Sequence, residues 1–450
     1  MAQHRHIDLS QGPVVGHILR MTPPMMVAFL AMMSFNLADA WFVSRLGTRP
    51  LAAMGFTFPV VMLVFALSFG LGLGTSACVS GAIGRGDHDR VQHLATYSIL
   101  LAFLVNLVLA VAGWLSMRTL FNILGADSDT LDMTLAYMRI WFSFAPLVTL
   151  PMVMNNAIRA TGDTLRPSII MCTAALINVV LDPLFIFGLG PFPAMGIKGA
   201  ALATGLARMV TVVWALWLIH HRCRLLTLRW EGWGTLFSCW RELLHVAIPA
   251  SATNVLMPLT LGIITRLVAH YGVAAVAATT AGQRIERFVY IIPMAMGTTL
   301  MPIIGQNWGA GRADRVRKAW ATVNWLGVGY SIVCLAIAVP LAPHIASWFS
   351  RLPEVQELIT RYLWILLTGA VLLHVTVHTG FAFNAIKKPF HASLLTIIRL
   401  AGLVIPLAWL GSRLFGVTGV YAGIALAHIC TGLISLLWFR HVIGAHTTPS

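Results

Sequence analysis

The sequence predicts an all-α integral membrane protein: about twelve transmembrane helices in two six-helix bundles, related by a pseudo-twofold axis along the membrane normal. Three observations predict this. The 450 residues are 58% hydrophobic and only 10% charged, where a soluble domain carries roughly 25% charged residues. Apolar stretches of twenty or more residues recur along the chain, each long enough to cross a hydrocarbon core of about 30 Å as a helix. Short alternating segments of the β-barrel kind are missing. Third, the two halves of the chain repeat in sequence.

Mean hydropathy is +0.81. It places spans at 17–44, 53–80, 92–118, 132–158, 166–189, 197–220, 240–269, 275–305, 318–343, 356–385, 390–412 and 417–440. An even number puts both ends on one side. Seventeen Lys and Arg fall in the terminal segments and the loops after even-numbered spans, and seven in the opposite loops. The positive-inside rule therefore places both termini in the cytoplasm. One of the seventeen is Arg5. The N-terminal segment has no compact apolar core or small-residue cleavage site and reads as lying on the inner leaflet. The inner linker around 221–241 carries Trp230, Trp233 and Trp240, indoles suited to the headgroup region.

The net charge of +15 raises nucleic-acid binding, but the basic residues sit in short loops rather than on one soluble face. No nucleic-acid partner follows. Six cysteines are scattered without a CxxC pair, so neither a disulfide framework nor a metal knuckle is predicted.

The repeat appears at a shift of 225 residues. Gly47, Ala52 and Ala53 then fall on Gly272, Ala277 and Ala278, and GRGDHDRV (84–91) falls on GAGRADRV (309–316). GIKGAA (196–201) pairs with GVTGVY (416–421), and NAIR (156–159) with NAIK (384–387). The predicted domains are an ion-coupling bundle, 1–225, and a second bundle, 226–450. Six spans per half gives both halves one orientation, the arrangement of parallel-repeat transporters whose halves rock about a cleft.

Charges inside spans carry the chemistry, because burying one costs about 2.5–3.5 kcal/mol or more. Asp39 comes sixteen residues after Pro23 and Asp182 sixteen after Arg166, so both sit roughly 24 Å up outward-running helices. Asn178 is one turn before Asp182 on the same face. Thr204 and Asn155 fall near that depth. Two carboxylates in a low-dielectric site can trade a proton, hold Na⁺ with Asn and Thr oxygens, or lock two helices by hydrogen bonds. Phe35 and Met32 in span 1 could line an apolar pocket for varied ligands. Gln283, Arg284, Glu286 and Arg287 in span 8 are either a second functional group or an outer-end charge cluster, with Arg284 and Glu286 as candidate substrate contacts. Arg208, Arg266 and Arg399 read as snorkelling side chains.

His374 and His378 have an i, i+4 spacing but no third ligand, so no metal site is predicted. GLGLG (70–74) lies inside an apolar span, where close helix packing explains it. There is no Walker A motif and no GxSxG, so no catalytic residue and no cofactor is predicted. Transport must draw on an H⁺ or Na⁺ gradient or run passively.

These residues resemble the multidrug and toxic compound extrusion (MATE) family over essentially the whole chain. The resemblance rests on NLADAWFVSRLG in span 1, the loop at 84–90, RATGDTLRP (159–167), NVVLDPLFIFG (178–188), MGIKGAALAT (195–204) and GQNWGAGR (305–312). It implies an inner-membrane antiporter, acting as a monomer among membrane lipids, that expels organic and often cationic amphipathic compounds in exchange for H⁺ or Na⁺. It implies that Asp39 couples ion to drug, with Asn178, Asp182, Thr204 and Asn155 at the matching family positions. The NorM-like branch also uses acidic residues in spans 7 and 10. IPASATNVLMP and LLHVTVHTGFAF contain none, which places the chain nearer the DinF-like branch and favours H⁺. A lipid-linked precursor flippase is the nearest alternative. A membrane-embedded enzyme is the alternative from another class.

Overall fold

The computed structural model describes residues 7–227 and 229–444; Arg5 lies outside them. The described residues contain helices and no strand. In chain order the helices are α1 (Val14–Ser44), α2 (Thr48–Arg85), α3 (His88–Ile123), α4 (Ser128–Ala160), α5 (Leu165–Phe187) and α6 (Ile197–Trp217). Then come α7 (Trp233–Ala269), α8 (Val273–Gly309), α9 (Ala313–Phe349), α10 (Pro353–Ala385), α11 (Pro389–Ile397) and α12 (Ile405–Gly444). π-Helical stretches, Leu218–Cys223 and Ile398–Val404, follow α6 and α11.

Among the described residues, eleven helical stretches are long and apolar enough to cross a membrane. The last, Pro389–Gly444, has 56 residues, or about 84 Å of helix, far more than one crossing needs. Its backbone leaves the helical region at Phe415 and Gly416, where Gly416 has φ 62°, a conformation that favours glycine. The chain reverses there. A Cβ on Gly411 would stand 2.0 Å from the Gly419 carbonyl oxygen, and one on Gly423 would stand 2.2 Å from that of Leu407. Residues 389–414 and 417–444 are thus two antiparallel arms, which brings the crossings to twelve.

The repeat holds in the backbone. α2 and α8 begin at Thr48 and Val273, α3 and α9 at His88 and Ala313, α4 and α10 at Ser128 and Pro353; each pair is 225 residues apart. Packing keeps that register. Gly72 faces Asn156, and Gly297 faces Phe381, both pairs again 225 apart. NAIR and NAIK, 228 apart, therefore stand almost a turn out of register with the packing.

By internal packing the chain forms two units, one holding Pro23–Ser251 and the other holding Leu9–Thr22 together with Ala252 onward. The chain passes between them inside α1, beside Pro23 and Pro24, and inside α7, just after Pro249. Pro24 and Pro249 are 225 residues apart. A proline inside a helix removes a hydrogen bond and permits a bend.

Each unit holds the entry to a helix that passes between the units with an arginine from its repeat loop. In the second unit, the Arg315 guanidinium donates to the carbonyls of Leu9, Gln11 and Gly12 and to Asn307 Oδ1. Gln306 and Asn307 complete the grip on Leu9. In the first unit, Arg90, the repeat counterpart of Arg315, binds Glu242 at 2.8 Å and Ser238 at 3.1 Å near the start of α7. The linker reaches α7 by lying against α3: Gln92 donates to the Arg224 carbonyl and Thr227 N–H to Thr96. Trp240 donates its indole N–H to the Tyr97 carbonyl, while Trp230 and Trp233 stay exposed.

GLGLG does what close packing requires. Cβ atoms on Gly70 and Gly74 would strike the α7 backbone, at 2.6 Å from the Ala247 oxygen and 2.7 Å from the Leu243 oxygen. Backbone cannot yield to a side chain, so Gly70→Leu should lower the thermal unfolding temperature of the purified protein. Overpacking costs about 1–3 kcal/mol; the exposed Gly55, with open space around it, is the control position and should tolerate alanine.

Candidate functional site

In the first unit, α5 and α6 lie close enough that a Cβ on Gly199 would meet the Phe185 carbonyl carbon at 2.5 Å. This contact brings Thr204 on α6 to the face of α5 that carries Asn178 and Asp182. Hydrogen bonding fixes the Asn178 amide. Its Nδ2 donates to Asp182 Oδ2 at 2.8 Å, and its Oδ1 accepts from Thr204 Oγ1 and from the Thr204 backbone N–H, both at 3.1 Å. The reverse orientation would set amide oxygen against carboxylate. Asp182 is fully buried.

Asp39, near the C-terminal end of α1, is 7% exposed, and its Oδ1 has no hydrogen-bond partner among the described residues. The two carboxylates lie within electrostatic range of each other, and Tyr137 on α4 lies within range of both. None of the ion pairs among the described residues includes Asp39 or Asp182. Tyr137 belongs to an apolar cluster with Val43, Ile186 and Ile197, which walls this side of the site. The site therefore holds two acids without an ion-pair partner among the described residues, against an apolar wall, where a charge left alone is costly.

Beside it opens a cavity of about 20 Å³, lined by Met32, Phe35, Met171, Asn178, Ala207 and Arg208 among others. That is room for a water molecule and far below the roughly 300–1,000 Å³ a drug-sized ligand occupies. In this conformation the cavity admits water and ions; a larger molecule requires the helices to part.

The sequence candidates thus divide. Asp39, Asn178, Asp182, Thr204, Met32 and Phe35 come together in the first unit. Asn155 is buried on α4 with an unpartnered Oδ1, joined to the carboxylates by no hydrogen bond among the described residues. Arg284 and Glu286 belong to the second unit; Arg284 is exposed, and Glu286 accepts a hydrogen bond from Tyr362. His378 is held at both ring nitrogens, by the Pro293 carbonyl at 3.0 Å and Asn324 at 3.1 Å, and His374 Nδ1 by Ser331 at 2.6 Å. Those bonds make both part of the helix packing. Two residues escaped the sequence reading. Tyr137 could have been found from the repeat, which sets it on Tyr362. Arg208 lies eleven residues into α6 and lines the cavity instead of snorkelling at a helix end.

Twelve crossings in two repeats, with a buried polar site in one unit, define a multi-pass membrane transporter. The MatE family model matches residues 24–184 and 249–410, one match in each repeat, and the chain belongs to that family. A FAD transporter of Shewanella oneidensis is 35% identical, over 95% of each chain. The multidrug export protein MepA of Staphylococcus aureus is 23% identical, over 95% of this chain and 94% of its own. Among solved structures, the Vibrio cholerae MATE transporter VcmN in the bent form superposes with a TM-score of 0.91 at 28% identity, covering 96% of this chain and 98% of its own.

Proposed function

We propose that this transporter is a cation-coupled antiporter of the inner membrane, driven by H⁺ rather than Na⁺, that exports small organic compounds by alternating access, with both termini cytoplasmic. The observation that carries the reading is the pair Asp39 and Asp182, buried without an ion-pair partner among the described residues. Such a pair is stable when it holds a proton or a bound cation and unstable when empty, so its loading can bias the conformation of its helices. A hard metal cation needs several oxygen ligands. With Asp182 ionised, the favoured amide orientation commits the Asn178 carbonyl to Thr204, which leaves few oxygens for a metal and favours the proton.

Met32, Phe35 and Met171 beside the carboxylates suit apolar, cationic compounds, and such drugs are the first substrate class. A second reading is an anionic aromatic substrate of the flavin dinucleotide kind. Arg208 in the cavity lining favours it, as does the greater identity to the Shewanella FAD transporter than to the staphylococcal multidrug exporter. Proteoliposomes loaded with ethidium or with FAD, and given a pH or a Na⁺ gradient in turn, test both. A pH gradient should drive concentrative export and a Na⁺ gradient should not. Movement that follows neither gradient would end the antiport reading.

A further inference from the structure

The two halves differ at the site. By the 225-residue offset Asp39, Asn178 and Asp182 correspond to Ile264, Leu403 and Leu407; by the offset that sets GIKGAA on GVTGVY, Thr204 corresponds to Ile424. All four aliphatic side chains pack in the apolar core of the second unit. Tyr137 alone keeps its counterpart, Tyr362. In the first unit the tyrosine stands beside acids from α1 and α5. In the second, the acid comes from α8: Tyr362 Oη donates to Glu286 Oε2 at 2.6 Å.

Glu286 lies within electrostatic range of Arg287, the next residue of α8, but forms no contact ion pair. No ion pair among the described residues includes it, and its neighbour Arg287 is exposed, as is Arg284. Tyr290, one turn on, stands within electrostatic range of Glu286 and of Arg399, which sits in the π-helical stretch after α11. The His374 ring of α10 packs edge-on against Tyr290 at 5.3 Å, and His374 and Arg399 are each within range of His428 on α12. Tyr421, also on α12, packs on Tyr362 at 5.0 Å, and its hydroxyl pairs with Thr279. α9 contributes Tyr330. These are the titratable and charged groups around the carboxyl, and none neutralises it by contact. An acid without a contact ion pair inside a membrane-spanning helix is costly as an anion.

The continuous helix α8 also lacks one backbone hydrogen bond here. Pro293 has no N–H for the Val289 carbonyl, and Tyr330 donates to that oxygen at 3.1 Å instead.

We propose that Glu286 is a second proton-binding site, built in the C-terminal unit from an acid of α8 and the repeat-conserved Tyr362, which loads and releases a proton separately from Asp39 and Asp182. Its place in the transport cycle rests on the proton-coupled reading above; the protonation itself does not. Loading converts carboxylate to carboxylic acid, with Tyr362 donating to the same oxygen in both states.

Infrared difference spectra of the full-length protein in proteoliposomes, recorded from alkaline to acid pH, test this through the carboxylic-acid carbonyl band. Wild type should show a band that Glu286→Gln removes and that survives in the Asp39→Asn/Asp182→Asn double variant. Tyr362→Phe should keep the band, move it to higher frequency for want of the hydrogen bond, and let the acid persist to higher pH. A Glu286→Gln spectrum identical to wild type would overturn the proposal, as would a Tyr362→Phe band unmoved in frequency and pH. If instead the bands of the double variant and wild type coincide, the Asp39 reading fails and the Glu286 site stands.

Discussion

Asp39→Asn should abolish concentrative export in proteoliposomes while leaving substrate free to equilibrate. A gradient of one pH unit is worth about 1.4 kcal/mol per proton, which supports about a tenfold substrate gradient for each proton exchanged. Wild type should therefore approach tenfold or more per pH unit, and the variant should stop at equal concentrations. The amide copies the shape of the carboxyl and cannot load a proton. Asp39 is the member of the pair with an oxygen free of any hydrogen bond among the described residues, so it is the one an arriving proton meets without breaking an existing contact. Asp182 is clasped by Asn178. Asp182→Asn should accordingly disturb the Asn178–Thr204 network as well as the charge, and impair stability along with coupling. Undiminished accumulation by Asp39→Asn would place coupling elsewhere in the molecule.

The fold was legible because a membrane leaves few options. Twenty apolar residues without charge must be a helix there, and the 225-residue repeat could be counted from GRGDHDRV and GAGRADRV alone. The helix spacing of Asn178 and Asp182 and the matched distances of Asp39 and Asp182 along their spans were enough to assemble the cluster. What stayed hidden depends on contacts that leave no periodic trace. Leu9–Thr22 joins the second unit through backbone groups: Arg315 and Asn307 donate to the Leu9 carbonyl and Gln306 accepts from the Leu9 N–H, and a backbone group carries no sequence signal. Tyr137 looked like one more apolar residue of a span. Arg208 was read as snorkelling although it lies mid-span, eleven residues past Ile197, because hydropathy gives no sign of which face of a helix meets a cavity. The turn between the last two arms was placed correctly from GVTGVY, where a glycine takes a positive φ that other residues rarely adopt.

Arg208→Gln separates the two substrate readings. Arg208 reaches the cavity lined by Met32, Phe35 and Asn178, and its guanidinium is the one charged group on that lining. A hydrogen bond to a charged group contributes about 1.5–3 kcal/mol, or roughly ten- to a hundredfold in affinity. If an anionic flavin dinucleotide occupies the site as the helices part, FAD export should fall by about that factor in the variant and ethidium export should hold or rise. Arg208→Lys should rescue only in part, because an ammonium cannot reproduce the planar two-pronged contact a phosphate receives from arginine. For a transporter of organic cations the sign reverses: the arginine repels its own substrate, and ethidium export should improve while FAD does not move in wild type or variant. Equal losses for both probes, with a lowered unfolding temperature, would mean that Arg208 serves packing between α5 and α6 and reads neither charge.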